Sequence, residues 1–120
     1  MIQEDKDLLL KDLCGRLPYG IIVNVNGNNE TVEEINPFEG IITCGFQSFD
    51  VNECKPYLRA MDDMTEEERN EYKHLVAFSG SPDGAANFIN WLNENHFDYR
   101  GLIDKGLAIE VTEENNPYEA

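Results

Sequence analysis

The stretch Tyr19-Gly20-Ile21-Ile22-Val23-Asn24-Val25-Asn26-Gly27-Asn28-Asn29 decides how this chain is read. Tyr19, Ile21, Val23 and Val25 alternate with Gly20, Ile22 and Asn24, the period of two that sets one row of side chains on one face of a strand. Ile22 breaks the polar half of the pattern, so the second face is expected to be partly covered. Asn26-Gly27 follows, and these residues tolerate the positive φ that a tight hairpin turn needs. Glu30–Ile35 is the expected returning strand, and its polar character places it at an edge or on a solvated face. Asn36-Pro37 ends it. The more apolar stretch Gly40–Phe46 is expected as a third, more central strand.

Upstream, Gln3 to Cys14 reads as a helix, with Leu9, Leu10, Leu13 and Leu17 at helical spacing and Gly15 as its stop. Downstream, Gln47–Met61 has no clear period. Thr65-Glu66-Glu67-Glu68 then matches a capping box, in which Thr65 and Glu68 exchange side-chain-to-amide bonds. The stripe Tyr72, Leu75 and Val76 continues it up to Phe78. Ser81 and Pro82 open a second helix as cap and first residue, whose apolar face of Ala85, Phe88, Ile89 and Leu92 is expected to be buried. Asp98 is expected to cap a short helix ended by Gly106, and Leu107, Ile109 and Val111 alternate as a last strand. Clustered rather than interleaved strands predict a single α+β domain over residues 1–111: a largely antiparallel sheet of about four strands with three or four helices. Residues 112–120, acidic and containing Pro117, are expected to fray.

Composition narrows the function classes. Twenty-four Asp and Glu oppose nine Lys and Arg, a formal net charge of −15 on 120 residues. Residues 61–120 hold fourteen acids and four bases, against ten and five in residues 1–60. Such a surface disfavours direct nucleic-acid binding, which needs clustered bases, and attachment to anionic membranes. An apolar fraction of 41% supports a packed core. No run reaches the ~18 apolar residues of a membrane-spanning helix. The N-terminus carries acids where a signal peptide carries bases. Three cysteines, an odd number in a chain with its own core, predict free thiols in a cytoplasmic setting.

The chemistry-bearing residues form no known constellation. Cys14, Cys44, Cys54, His74 and His96 lack the close ligand pairs of zinc sites, so no metal is expected. Cys44 lies in an apolar strand and Cys14 near a helix end, neither of which favours a thiolate. His96 is expected to end the Ser81 helix, favoured there by the dipole. The glycines form no phosphate loop, no calcium loop is present, and no cofactor is expected. What stands out is the acid run Asp62, Asp63, Glu66, Glu67 and Glu71, a candidate interaction surface. Its plainer reading is a solvated face whose acids suit a helix N-terminus.

Several segments carry a resemblance: Cys54-Lys55-Pro56-Tyr57-Leu58-Arg59, Met64-Thr65-Glu66-Glu67-Glu68, Trp91-Leu92-Asn93, His96-Phe97-Asp98-Tyr99-Arg100-Gly101-Leu102-Ile103 and Lys105-Gly106-Leu107-Ala108. Together they resemble a group of small proteins from gut anaerobes and their phages or mobile elements. No established activity belongs to that group, so the resemblance implies no catalytic residue, only a bacterial or phage cytoplasmic origin. Members often carry proline and serines where this chain has Ala60, Asp62 and Asp63, which makes the acid cluster a feature of this chain. Arg100 is expected to pair with nearby acids. These observations lead to a non-enzymatic protein-binding or assembly module with a protein partner. An acidic decoy that imitates nucleic acid is the first alternative, and an enzyme of unrecognised type the second.

Overall fold

Asn26 (φ 52°) and Gly27 (φ 90°) both adopt the left-handed region, which gives the hairpin a turn whose twist suits its strands. In the computed structural model, which describes residues 1–119, this turn joins β1 (Ile22–Val25) to β2 (Asn28–Thr31). The expected returning strand is in fact two. Val32 N donates to Ile21 O, whereas the next amide, Glu33 N, donates to Thr43 O. The chain therefore changes sheets between two adjacent residues, pivoting on the buried Val32. β3 (Glu34–Asn36), β4 (Ile41–Cys44) and β5 (Gln47–Asp50) then form an antiparallel sheet with β4 at its centre.

The second sheet has the order β2-β1-β6-β7. Its β6 (Cys54–Leu58) comes from the stretch without a readable period, where Pro56 masks the strand. β6 pairs antiparallel with β1 and parallel with the two-residue β7 (Ile109–Glu110). The α+β class stands, with one correction. Among the described residues, seven short strands make two sheets, one of them mixed, in place of one largely antiparallel sheet of about four strands.

α1 (Gln3–Arg16) runs through Gly15 rather than stopping there. Its Leu9 and Leu13 pack with Ile21, Val23, Ile42, Val51, Leu58 and Leu102 in one core shared by both sheets. The helical hairpin is different. α2 (Glu66–Ala77) contains no buried residue, and α3 (Pro82–Glu94) buries only Leu92 and Asn93. Both helices begin where expected: Thr65 and Glu68 make the capping box, and Ser81 accepts from Gly84 N. The expected burial of the α3 face fails towards its start, where none of the described residues is buried. Ile89 is exposed, and Phe88 rests edge-on against Tyr72 at 5.5 Å.

After α3, Asp98 caps as expected, accepting from Leu102 N and Ile103 N at 2.9 Å, yet it closes turns rather than a helix. Residues 112–119, expected to fray, are tied to the sheet at Tyr118, whose hydroxyl lies 2.8 Å from the Tyr57 carbonyl oxygen. Ala120 lies outside the described residues. No helix among them is long and apolar enough to cross a membrane.

Candidate interaction surface

Arg59 anchors the surface. It follows β6, and its main chain bridges the segment after α3: Arg59 N donates to His96 O at 2.7 Å and Asp98 N donates to Arg59 O at 2.8 Å. Its guanidinium lies over the Phe97 ring at 4.3 Å and clamps Glu68 with two bonds of 2.8 and 2.7 Å. Planar two-point pairing of this kind fixes orientation as well as charge. Glu68 also accepts from the Thr65 amide, so one carboxylate both caps α2 and ties it to the body. The Arg59 bonds, then the Thr65 amide, lower the Glu68 carboxyl to about 2 against the opposing effect of burial.

The five acids singled out in the sequence lie on the two elements that follow this anchor in the chain. Asp62 and Asp63 lie in a single turn of tight helix (Met61–Asp63), and Glu66, Glu67 and Glu71 lie on α2, all five exposed. They are not a bare field of negative charge. The Asp63 carboxylate is 3.7 Å from Arg59 Nε, and Arg69 donates to the Asp62 carbonyl. Glu66 and Glu67 occupy the first turn of α2, where acids favour the helix dipole.

Further along, the hairpin exposes apolar side chains. Val76 is 42%, Phe78 64% and Ile89 40% exposed. Gly84 holds the hairpin shut, because a Cβ at this position would collide with the Phe78 carbonyl oxygen. No similar signal in the sequence marked Phe78 as exposed, since periodicity locates an apolar face without saying what covers it.

The remaining reactive groups have structural surroundings. All three cysteines are free, and burial, with Cys44, Glu53 and Asp50 nearby, pushes the Cys54 thiol up to about 12. Burial also raises the Cys44 thiol, with Glu30 and Glu33 adding to it. Among the described residues, no three His, Cys, Asp or Glu side chains converge into a metal-holding group. A hollow of about 670 Å³ on the β3–β4 side has Glu33, Glu34 and Glu39 as its ionisable lining and no thiol or imidazole among the described residues.

A buried ion pair escaped the sequence reading. Asp12 and Arg16 are fully buried, with Arg16 Nε 2.8 Å from Asp12 Oδ2. Arg100 does pair with an acid, reaching Asp12 Oδ1 at 3.1 Å. The signal was present, because Asp12 and Arg16 are four apart and share the helical face of Leu9 and Leu13. No family model, curated protein or solved structure matches the chain.

Proposed function

We propose that this protein is a non-enzymatic protein-binding or assembly module that docks its partner on the α2–α3 hairpin. The observation that carries the reading is a helix, α2, with no buried residue of its own, beside the exposed Val76, Phe78 and Ile89. A helix of this length is marginal alone and gains stability by covering an apolar face. Residues 61–94 hold eight acids and two bases. A second copy would meet this face with like charge, so the fitting partner has an apolar hollow rimmed by Lys and Arg. The acids steer and orient, and the apolar tip supplies the contact energy. Free thiols support a cytoplasmic setting, and the resemblance supports a bacterial or phage origin.

Affinity capture from the native host, compared across three baits, tests this. The wild type recovers a stoichiometric partner. Phe78→Asp with Ile89→Asp loses it. The four-fold variant Asp62→Asn, Asp63→Asn, Glu67→Gln, Glu71→Gln keeps it with slower association. Glu68 is left intact because it is the cap and the Arg59 anchor. Collapse of binding in the four-fold variant alone, with the apolar variant unaffected, replaces this reading with the acidic decoy.

A further inference from the structure

The notch that receives Tyr118 has the shape and chemistry of a recognition slot. β1 and β6 pair from Val25↔Cys54 to Val23↔Pro56, and the next rung would join Ile22 to Tyr57. The Tyr118 hydroxyl stands in that place. It accepts from Ile22 N at 3.2 Å and has the carbonyl oxygens of Tyr57 at 2.8 Å and Ile22 at 3.4 Å as acceptors for its proton. Its ring stacks on the His96 imidazole, with centroids 3.8 Å apart and planes 10° from parallel.

His96 is itself an unusual choice. Phe97 N donates to Leu92 O and His96 N to Asn93 O, the paired bonds that close a helix around a left-handed residue. That residue is usually glycine, yet His96 holds it at φ 62°, a region that side chains with a Cβ disfavour. Its Nδ1 is buried without a hydrogen-bond partner. The imidazole thus persists in a conformation that favours glycine, and its visible use is to form one wall of the slot.

The present occupant fits by its phenol but not by its charge. Beyond Tyr118, residues 112–119 bond mainly to themselves: Thr112 and Asn115 exchange main-chain bonds, and Asn116 Oδ1 accepts from Tyr118 N. Among the described residues, Glu113, Glu114 and Glu119 make no ion pair. Glu113 and Glu119 line a cavity of about 420 Å³ together with Asp63 and Glu94, and its base, Arg59, is already taken by Glu68. A strap tied to the body chiefly through Tyr118, and surrounded by like charge, belongs to the part of a fold that opens locally.

We propose that this slot is a docking site for an extended segment of a partner protein that presents a tyrosine between basic residues, and that residues 112–119 are its displaceable placeholder. The phenol supplies the hydroxyl that the splayed strands require and the ring that His96 stacks against. Lysine or arginine on either side replaces repulsion from Asp63 and Glu94 with attraction. The strap keeps the slot filled and sets a threshold, because an occupant in cis lowers the apparent affinity of any competitor. This inference is independent of the hairpin surface.

The probe is a labelled peptide, Lys-Lys-Asn-Asn-Pro-Tyr-Lys, titrated by fluorescence anisotropy against the full chain. Tyr118→Ala empties the slot, and the peptide is expected to bind that variant at least about tenfold more tightly than wild type. A peptide with phenylalanine in place of tyrosine is expected to bind about tenfold more weakly, the worth of one or two hydrogen bonds. The Glu-flanked peptide, in the chain's own order, is expected to bind more weakly still at low salt, with the gap narrowing as salt rises. Equal binding of the tyrosine and phenylalanine peptides overturns the proposal, as does equal binding to wild type and variant. Hydrogen exchange keeps the test decisive if Tyr118→Ala does not fold. In wild type the Ile22 amide is expected to exchange by local opening, and in Glu113→Lys with Glu119→Lys it is expected to exchange several-fold more slowly. An Ile22 amide that exchanges only with global unfolding, and ignores the charge change, shows that the strap is not displaceable.

Discussion

Replacing Asp12 with leucine strands a buried cation, and the structure sets the size of the penalty. Asp12 accepts from Arg16 Nε at 2.8 Å, Arg16 Nη2 at 3.1 Å and Arg100 Nη1 at 3.1 Å. Without it, Arg16 keeps only its 2.6 Å bond to the Phe97 carbonyl, and Nη1 already has no partner. Arg16 has no exposed surface through which to recover hydration. Breaking such a pair from one side costs about 3–5 kcal/mol, a large part of the roughly 5–15 kcal/mol that holds a domain together. At about 4 °C per kcal/mol for a chain of this length, the melting midpoint should fall by about 12–20 °C. Arg100, one-fifth exposed, reaches water when Asp12 is lost and adds less than about 1 kcal/mol. The decisive comparison is Asp12→Leu with Arg16→Met, which removes both charges and should recover to within about 1 kcal/mol of wild type. Urea denaturation followed by far-UV circular dichroism and Trp91 fluorescence gives both values. A single variant within 1 kcal/mol of wild type, or a double variant as unstable as the single, refutes the argument from desolvation.

Two further outcomes follow from burial and charge. Phe88→Ala should cost only about 1–2 kcal/mol, because Phe88 is half-buried against Tyr72, whereas Leu92→Ala at the fully covered end of α3 should cost about 2–5 kcal/mol; equal costs would mean that something covers the hairpin face. The His96 imidazole is held down to about 4 from 6.5 by burial, and further by Arg16 and Arg59, while the Tyr118 ring lies against it. A depressed folded value means that the unfolded chain takes the proton first, so stability is full above pH 6.5 and is lost as pH falls towards about 4. Wild type should therefore lose stability relative to His96→Asn in that window, with about one extra proton taken up on unfolding; parallel stability curves for the two proteins would show that His96 titrates normally.

Local chemistry was legible in the sequence, and long-range partnership was not. Asn26-Gly27, Thr65 with Glu68 and Ser81 with Pro82 each act within four residues, so their types state their roles. The sheet change between Val32 and Glu33 leaves no such mark, because an alternating polar segment reads as one strand whichever neighbour it pairs with. β6 was hidden by Pro56, a residue that argues against an inner strand, and it is bordered on one side by only the two residues of β7. Nothing near Tyr118 in the sequence marks it as a tether, because its neighbours are acids and asparagines and its partners Ile22, Tyr57 and His96 are distant in the chain. Of the candidate site, the acids were named in advance, but Arg59 and the exposed apolar tip were not. Arg59 owes its importance to Glu68, His96 and Phe97, which only the fold brings to it.

The acid excess divides into two populations with different physical standing. Asp12, Asp50, Glu53, Glu68 and Asp98 each accept defined hydrogen bonds from buried cations or main-chain amides. These acids hold the fold and cannot be traded for neutral residues without loss. Asp62, Glu66, Glu67 and Glu71 on the hairpin, with Glu113, Glu114 and Glu119 on the strap, make no ion pair among the described residues. Apart from Glu66 and Glu67, which the α2 dipole favours, this exposed charge of one sign gives the folded chain repulsion rather than stability. Such charge repels a second copy of the chain and keeps it from associating with itself. The two concentrations meet at Arg59, which anchors the start of α2 through Glu68 and lines the strap cavity with Glu113, Glu119 and Tyr118.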